Sequence, residues 1–135
     1  MAYTAKTFQI PNLEGISAKT IEEHMKLYQG YVKHTNLIQE MKQDSEKNAY
    51  PLAELQRRLG FEHGGMKNHE AYFAQFEGSA APLGDGALKS KIEASWGSVD
   101  AFLAQFKATA MTRGIGWAML YQDVDTDDLV ISWVD

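Results

Sequence analysis

The hydrophobic rhythm of this chain changes once, and that change fixes its fold class. From Ile21 to Ala110 apolar residues recur at roughly helical spacing. After Gly114-Ile-Gly116 they form two short runs, Trp117–Gln122 and Leu129–Val134, joined by the acidic stretch Asp123-Val-Asp-Thr-Asp-Asp128. The first pattern gives each helix one apolar stripe, and the second suits two strands around a turn. The chain therefore reads as α+β, a helical hairpin followed by an α/β portion with a small antiparallel sheet. At 135 residues it is long enough to bury a core, and 44% hydrophobic against 23% charged residues excludes a disordered chain.

Local signals place the elements. Residues 1–15 read as an extended arm punctuated by Pro11 and Gly15. Ser17 suits an N-cap, with Ile16 and Ile21 as a hydrophobic staple. Ile21, Met25, Tyr28, Val32, Ile38 and Met41 then mark a helix running to Lys47, with a bend or loop expected near Gly30. The stretch Asn48-Ala-Tyr-Pro51 breaks it. A short helix follows on Leu52, Leu55 and Leu59, closed by Gly60, and Gly64-Gly65 interrupts again. His69, Tyr72, Phe73 and Phe76 predict one face of a further helix, closed by Gly78. Residues 79–86 are the best linker, so the expected domains are 1–80 and 87–135. In the second, Leu88, Ile92 and Trp96 mark a helix ended by Gly97, and Ser98 caps another carrying Phe102, Leu103 and Phe106.

Composition narrows the chemistry. The chain has no cysteine, so disulfides, zinc fingers, iron–sulfur clusters and thiol catalysis are out, and His, Asp and Glu are the strong metal ligands. A net charge of −5 argues against a nucleic-acid partner bound through bulk charge. No apolar run approaches the roughly 20 residues of a membrane span. The N-terminus lacks a hydrophobic signal core, which makes the expected address cytoplasmic.

Four histidines are present: His24, His34, His63 and His69. At about 100° per residue, Tyr28 lies about 40° from His24 on a helix and Tyr31 about 20° on the other side, so the three share one face. His69 points with Tyr72, Phe73 and Phe76. Two such histidines can hold one metal across a helix pair, and each can equally be a hydrogen-bonded core residue. His34 and His63 sit among polar neighbours and read as surface or loop positions.

Sharper motifs fail. There is no Glu-x-x-His of a di-iron bundle, and no second histidine four residues after His69. The acidic turn has Asp128 where a calcium loop needs glycine. Gly114-x-Gly116 lacks a third glycine and precedes a strand, so it is no dinucleotide fingerprint.

Four segments together resemble the iron/manganese superoxide dismutase family. Ile16-Ser-Ala-Lys-Thr-Ile-Glu-Glu-His24, with Tyr31-Val32 downstream, is similar to that family's first ligand helix. Phe61-Glu-His-Gly-Gly-Met-Lys-Asn-His69 is similar to its second ligand segment. Leu88, Ile92, Trp96-Gly-Ser98, Phe102 and Phe106 resemble the helices opening its second domain, and Gly114-Ile-Gly-Trp117 its strand start. The resemblance implies disproportionation of superoxide by one iron or manganese ion per chain, and a homodimer. It implies that His24 and His69 are metal ligands, that Tyr31 is the gateway tyrosine with Val32 in the core, and that Trp117 belongs to the apolar wall. Tyr28 stands where the family usually has a second gateway histidine, and Gly65 matches the manganese-type pattern. The family's Asp-x-Trp-Glu-His segment, source of the aspartate and third histidine ligands, is not in these 135 residues. The expectation is thus a chain shortened at its C-terminus. The rival reading is a non-catalytic helical module with an incomplete metal site.

Overall fold

Ser17 opens the first helix by accepting a hydrogen bond from the Thr20 amide at 3.1 Å. The computed structural model describes residues 2–44 and 49–135. Within them lie α1 (Ala18–Asp44), α2 (Ala49–Ala74), α3 (Ala87–Trp96), α4 (Val99–Ala110), β1 (Trp117–Gln122) and β2 (Leu129–Val134). This is the α+β architecture expected, a helical hairpin followed by helices and a two-stranded antiparallel sheet. The chain divides into two compact units, Met1–Ala80 and Ala81–Asp135.

In the first unit both long helices are less interrupted than their glycines imply. α1 runs through Gly30 without a loop. Tyr28, Val32 and Ile38 are buried on either side of it, and burial of apolar side chains such as Val32 and Ile38 at about 1.5–3 kcal/mol each outweighs the roughly 1 kcal/mol that glycine costs a helix. Met41, assigned to the same stripe, is instead exposed. α2 runs continuously through Gly60, Gly64 and Gly65, so the two short helices expected there are one. Pro51 sits in its first turn, where a missing amide hydrogen costs nothing. α2 ends at Ala74, before Gly78, and Phe76 lies in the following turn with its amide on the Phe73 carbonyl. Lys47 and Asn48, given as the end of one helix and the break before the next, lie outside the described residues.

The hairpin core is Tyr28 and Val32 from α1 against Met66 and Phe73 from α2. The N-terminal arm, outside any helix or strand, lies on it and contributes Tyr3, Ala5, Phe8 and Ile10. Its backbone is tied down by three side chains: the amides of Tyr3 and Lys6 donate to Asn36 Oδ1 (2.7 Å) and Tyr28 Oη (2.9 Å) on α1, and that of Gln9 to Glu77 Oε1 (2.7 Å) just after α2.

In the second unit local signals account for most of the fold. Gly97 adopts the left-handed conformation at φ 82° and closes α3, and Ser98 Oγ accepts from the Ala101 amide at 3.0 Å to start α4. Ile92 and Phe102 are buried, and Trp96 packs edge-on to Phe102 at 5.1 Å. β1 and β2 pair from Trp117 with Val134 to Gln122 with Leu129. Gly114 and Gly116 cradle the Trp133 indole, since a Cβ on either would come within 2.9 Å or 2.6 Å of it. The acidic turn is a hairpin turn, with Asp123 Oδ1 accepting from the amides of Asp125 and Thr126.

Candidate metal centre

Helical periodicity brings His24 and His69 to the seam between α1 and α2, where their rings meet edge to face with centroids 4.8 Å apart. Phe73 packs against both, at 5.1 Å from His24 and 6.1 Å from His69. Tyr72 packs on His24 at 5.1 Å. Tyr31 lies 4.9 Å from the His69 ring, and Tyr28 stacks on that ring at 6.4 Å and 26°. The two histidines thus share an aromatic enclosure built from both helices. Val32 is buried in the hairpin core.

One turn of α2 fixes the orientation of His69. Its Nδ1 donates to the Gly65 carbonyl at 2.7 Å. A carbonyl oxygen only accepts, so Nδ1 carries the hydrogen and the neutral ring has its lone pair on Nε2. Gly65 has a second task. A Cβ there would lie 2.5 Å from two carbons of the Tyr31 ring, so only glycine lets that ring seat against α2. Burial lowers the pKa of His69, an effect that the Gly65 carbonyl opposes and the neighbouring His24 reinforces. Burial also lowers that of His24. Both rings are therefore held neutral near pH 7, the form that binds metal.

A buried carboxylate adjoins this pair. Glu70 is 8% exposed. It accepts from Tyr28 Oη at 3.3 Å and pairs with Lys6 at 2.8 Å and Lys67 at 3.2 Å. Burial pushes the Glu70 pKa up, but the hydrogen bonds and charges of the two lysines outweigh it, and the net shift is downward. Burial pushes the Tyr28 pKa up, so its hydroxyl stays protonated and donates. Sequence reasoning missed Lys6 and Glu70. Nothing in the local pattern joins an arm lysine to a carboxylate on the second helix.

The remaining candidates lie elsewhere. His34 is exposed on α1. His63 is not in a loop; it sits on α2, half-buried against Tyr3 with ring centroids 5.8 Å apart. Trp117 begins β1 and is half-buried in the second unit. Among the described residues no group of three or more His, Asp or Glu side chains converges as a metal site. Two neutral imidazoles on rigid helices suit part of a donor set for iron or manganese, which take nitrogen and oxygen ligands. They do not complete one.

Comparison with known proteins identifies the family. The family described as iron/manganese superoxide dismutases, C-terminal domain, matches residues 84–135. The manganese superoxide dismutase of Mycobacterium malmoense is 33% identical over 112 aligned positions, which cover 79% of this chain and 80% of that protein. The chain belongs to the iron/manganese superoxide dismutase family. Other members of this dismutase family are similar over still more of the chain. The iron superoxide dismutases of Aquifex aeolicus and Aquifex pyrophilus are each 38% identical over 137 aligned positions, or 92% of this chain. The chain spans 62% of the length of those two relatives. Relatives named for iron and for manganese both occur, so the dismutase family leaves the metal as one or the other. No described helix is long and apolar enough to cross a membrane.

Proposed function

We propose that this protein is a superoxide dismutase that uses one iron or manganese ion, with His24 and His69 among the ligands. The observation that carries the reading is the meeting of these two imidazoles, 4.8 Å apart, inside an aromatic enclosure in a chain of this family. Bound iron or manganese supplies a one-electron couple, through which one superoxide is oxidised to oxygen and a second, with two protons, is reduced to hydrogen peroxide.

The chain's own groups have separable tasks. The Gly65 carbonyl holds His69 in the tautomer that presents Nε2. Phe73 and Tyr72 keep the histidines in an apolar surround, which favours neutral rings and limits water. The Tyr31 hydroxyl is the proton-handling group, carried on a ring that lies 4.9 Å from that of His69 and is seated by Gly65. Trp117 belongs to the apolar wall by family resemblance. A homodimer and a cytoplasmic location complete the proposal.

The test compares the protein with its His24→Ala and His69→Ala variants. Iron and manganese per chain are measured after reconstitution, and superoxide decay is followed by stopped flow. Each variant should lose metal and activity while its helical circular dichroism persists. Full metal occupancy in either variant would show that the ligand assignment is wrong.

A further inference from the structure

The N-terminal arm is fastened at every third amide, and the middle fastening reaches the histidine pair. Tyr3 is held in both directions by Asn36, and Gln9 by Glu77. Lys6 is held at two atoms. Its amide donates to Tyr28 Oη at 2.9 Å, and its ammonium pairs with Glu70 Oε2 at 2.8 Å. Tyr28 closes the ring by donating to Glu70 Oε1 at 3.3 Å. A phenol has one hydrogen to give, so these two bonds fix both the rotor and the position of the Tyr28 hydroxyl.

The fixed side chain is the one that stacks on His69. Tyr28 lies parallel to that imidazole within 26° and meets Phe73 edge-on at 6.2 Å. From the other direction the arm supplies Phe8, 6.1 Å from Tyr28 and 5.6 Å from Phe73. Two rings of the enclosure, Tyr28 and Phe73, are therefore backed by a segment that belongs to neither helix.

We propose that Tyr28 is a positioning residue that transmits the seating of the N-terminal arm to the His69 imidazole, with Lys6 and Glu70 as its clasp. Tyr28 and Glu70 hold the arm at Lys6, and the Tyr28 ring acts on the histidine. The proposal rests on the metal-centre reading only for its effect on bound metal, because the coupling itself is a property of the metal-free chain.

The experiment uses Tyr28→Phe, which keeps the ring and removes the hydroxyl, and Lys6→Met, which removes one exposed ammonium. Lys6→Arg is the conservative rescue. Amide hydrogen exchange and the exchange of the His69 Nδ1 proton are followed by NMR in the metal-free chain. Release of manganese(II) to a chelator is timed in the loaded protein. In Tyr28→Phe the Lys6 amide should exchange about tenfold faster. The His69 ring proton should accelerate with it, while the amides at Val32 and Met66 keep their protection. Manganese release should rise by about tenfold. Lys6→Met should reproduce the direction of these changes, and Lys6→Arg should restore the starting values. Equal acceleration at every amide would overturn the proposal, since the hydroxyl would then serve general stability alone. An opened Lys6 amide beside an unchanged His69 proton would also overturn it. If manganese does not bind at the histidines at all, the metal-centre reading fails, and the two exchange rates still judge the coupling.

Discussion

The ring of Tyr31 fills the space in which a side chain at Gly65 would begin. Glycine replacement on the two long helices therefore carries opposite expectations at Gly65 and Gly30. Gly65→Ala should destabilise the fold by about 1–3 kcal/mol, because the half-buried ring must move. Gly30→Ala should stabilise it by about 0.5–1 kcal/mol, because nothing lies within 4 Å of its Cβ position and alanine is the better helix former. Urea midpoints measure both. In a Tyr31→Leu background most of the Gly65→Ala loss should vanish, and an undiminished loss would contradict the contact.

The buried histidines give the metal-free protein a pH-dependent stability. Burial holds both rings below the ordinary histidine value, so the unfolded chain, at about 6.5, takes up protons first as pH falls. Above about pH 7 the rings are neutral in both states and contribute no slope. Stability should therefore decline as pH drops from about 7 through 6.5 and level off near the lower folded values. Urea unfolding at several pH values checks this, with a His24→Gln, His69→Gln double variant expected to flatten the curve. An equal slope in that variant would assign the effect to other groups.

Tyr31→Phe should retain the metal and the fold but change turnover and its pH profile, because the ring packing on His69 survives while the hydroxyl is lost. Steady-state superoxide consumption across pH, with metal content measured in parallel, tests this. An unchanged profile would contradict a proton-handling role for the Tyr31 hydroxyl.

In the second unit, Ser98→Ala should cost about 1 kcal/mol through loss of the cap on α4. Thermal or urea unfolding gives the value. A neutral result would mean that the Ala101 amide finds another acceptor.

These elements also show which parts of the structure a sequence declares. Gly97 and Ser98 mark a helix stop and start within two residues, and the runs at 117–122 and 129–134 carry their own turn, so both were legible locally. The shared face of His24, Tyr28 and Tyr31 followed from helical geometry alone. Gly60, Gly64 and Gly65 misled because a glycine reads as a helix breaker until its neighbour is known. At Gly65 that neighbour is Tyr31, on the other helix. The tie from Lys6 to Tyr28 and Glu70 was illegible for the same reason: arm, first helix and second helix meet there, and no spacing within any one of them records it.

The most direct test of the central claim is paramagnetic line broadening in the isotope-labelled protein as manganese(II) is added. The expected result is that the ring signals of His24 and His69 broaden first and together, with His34 and His63 spared. Broadening centred on the acidic turn at residues 123–128, or on His34 or His63, would contradict the assignment of the metal centre to the seam between the two long helices.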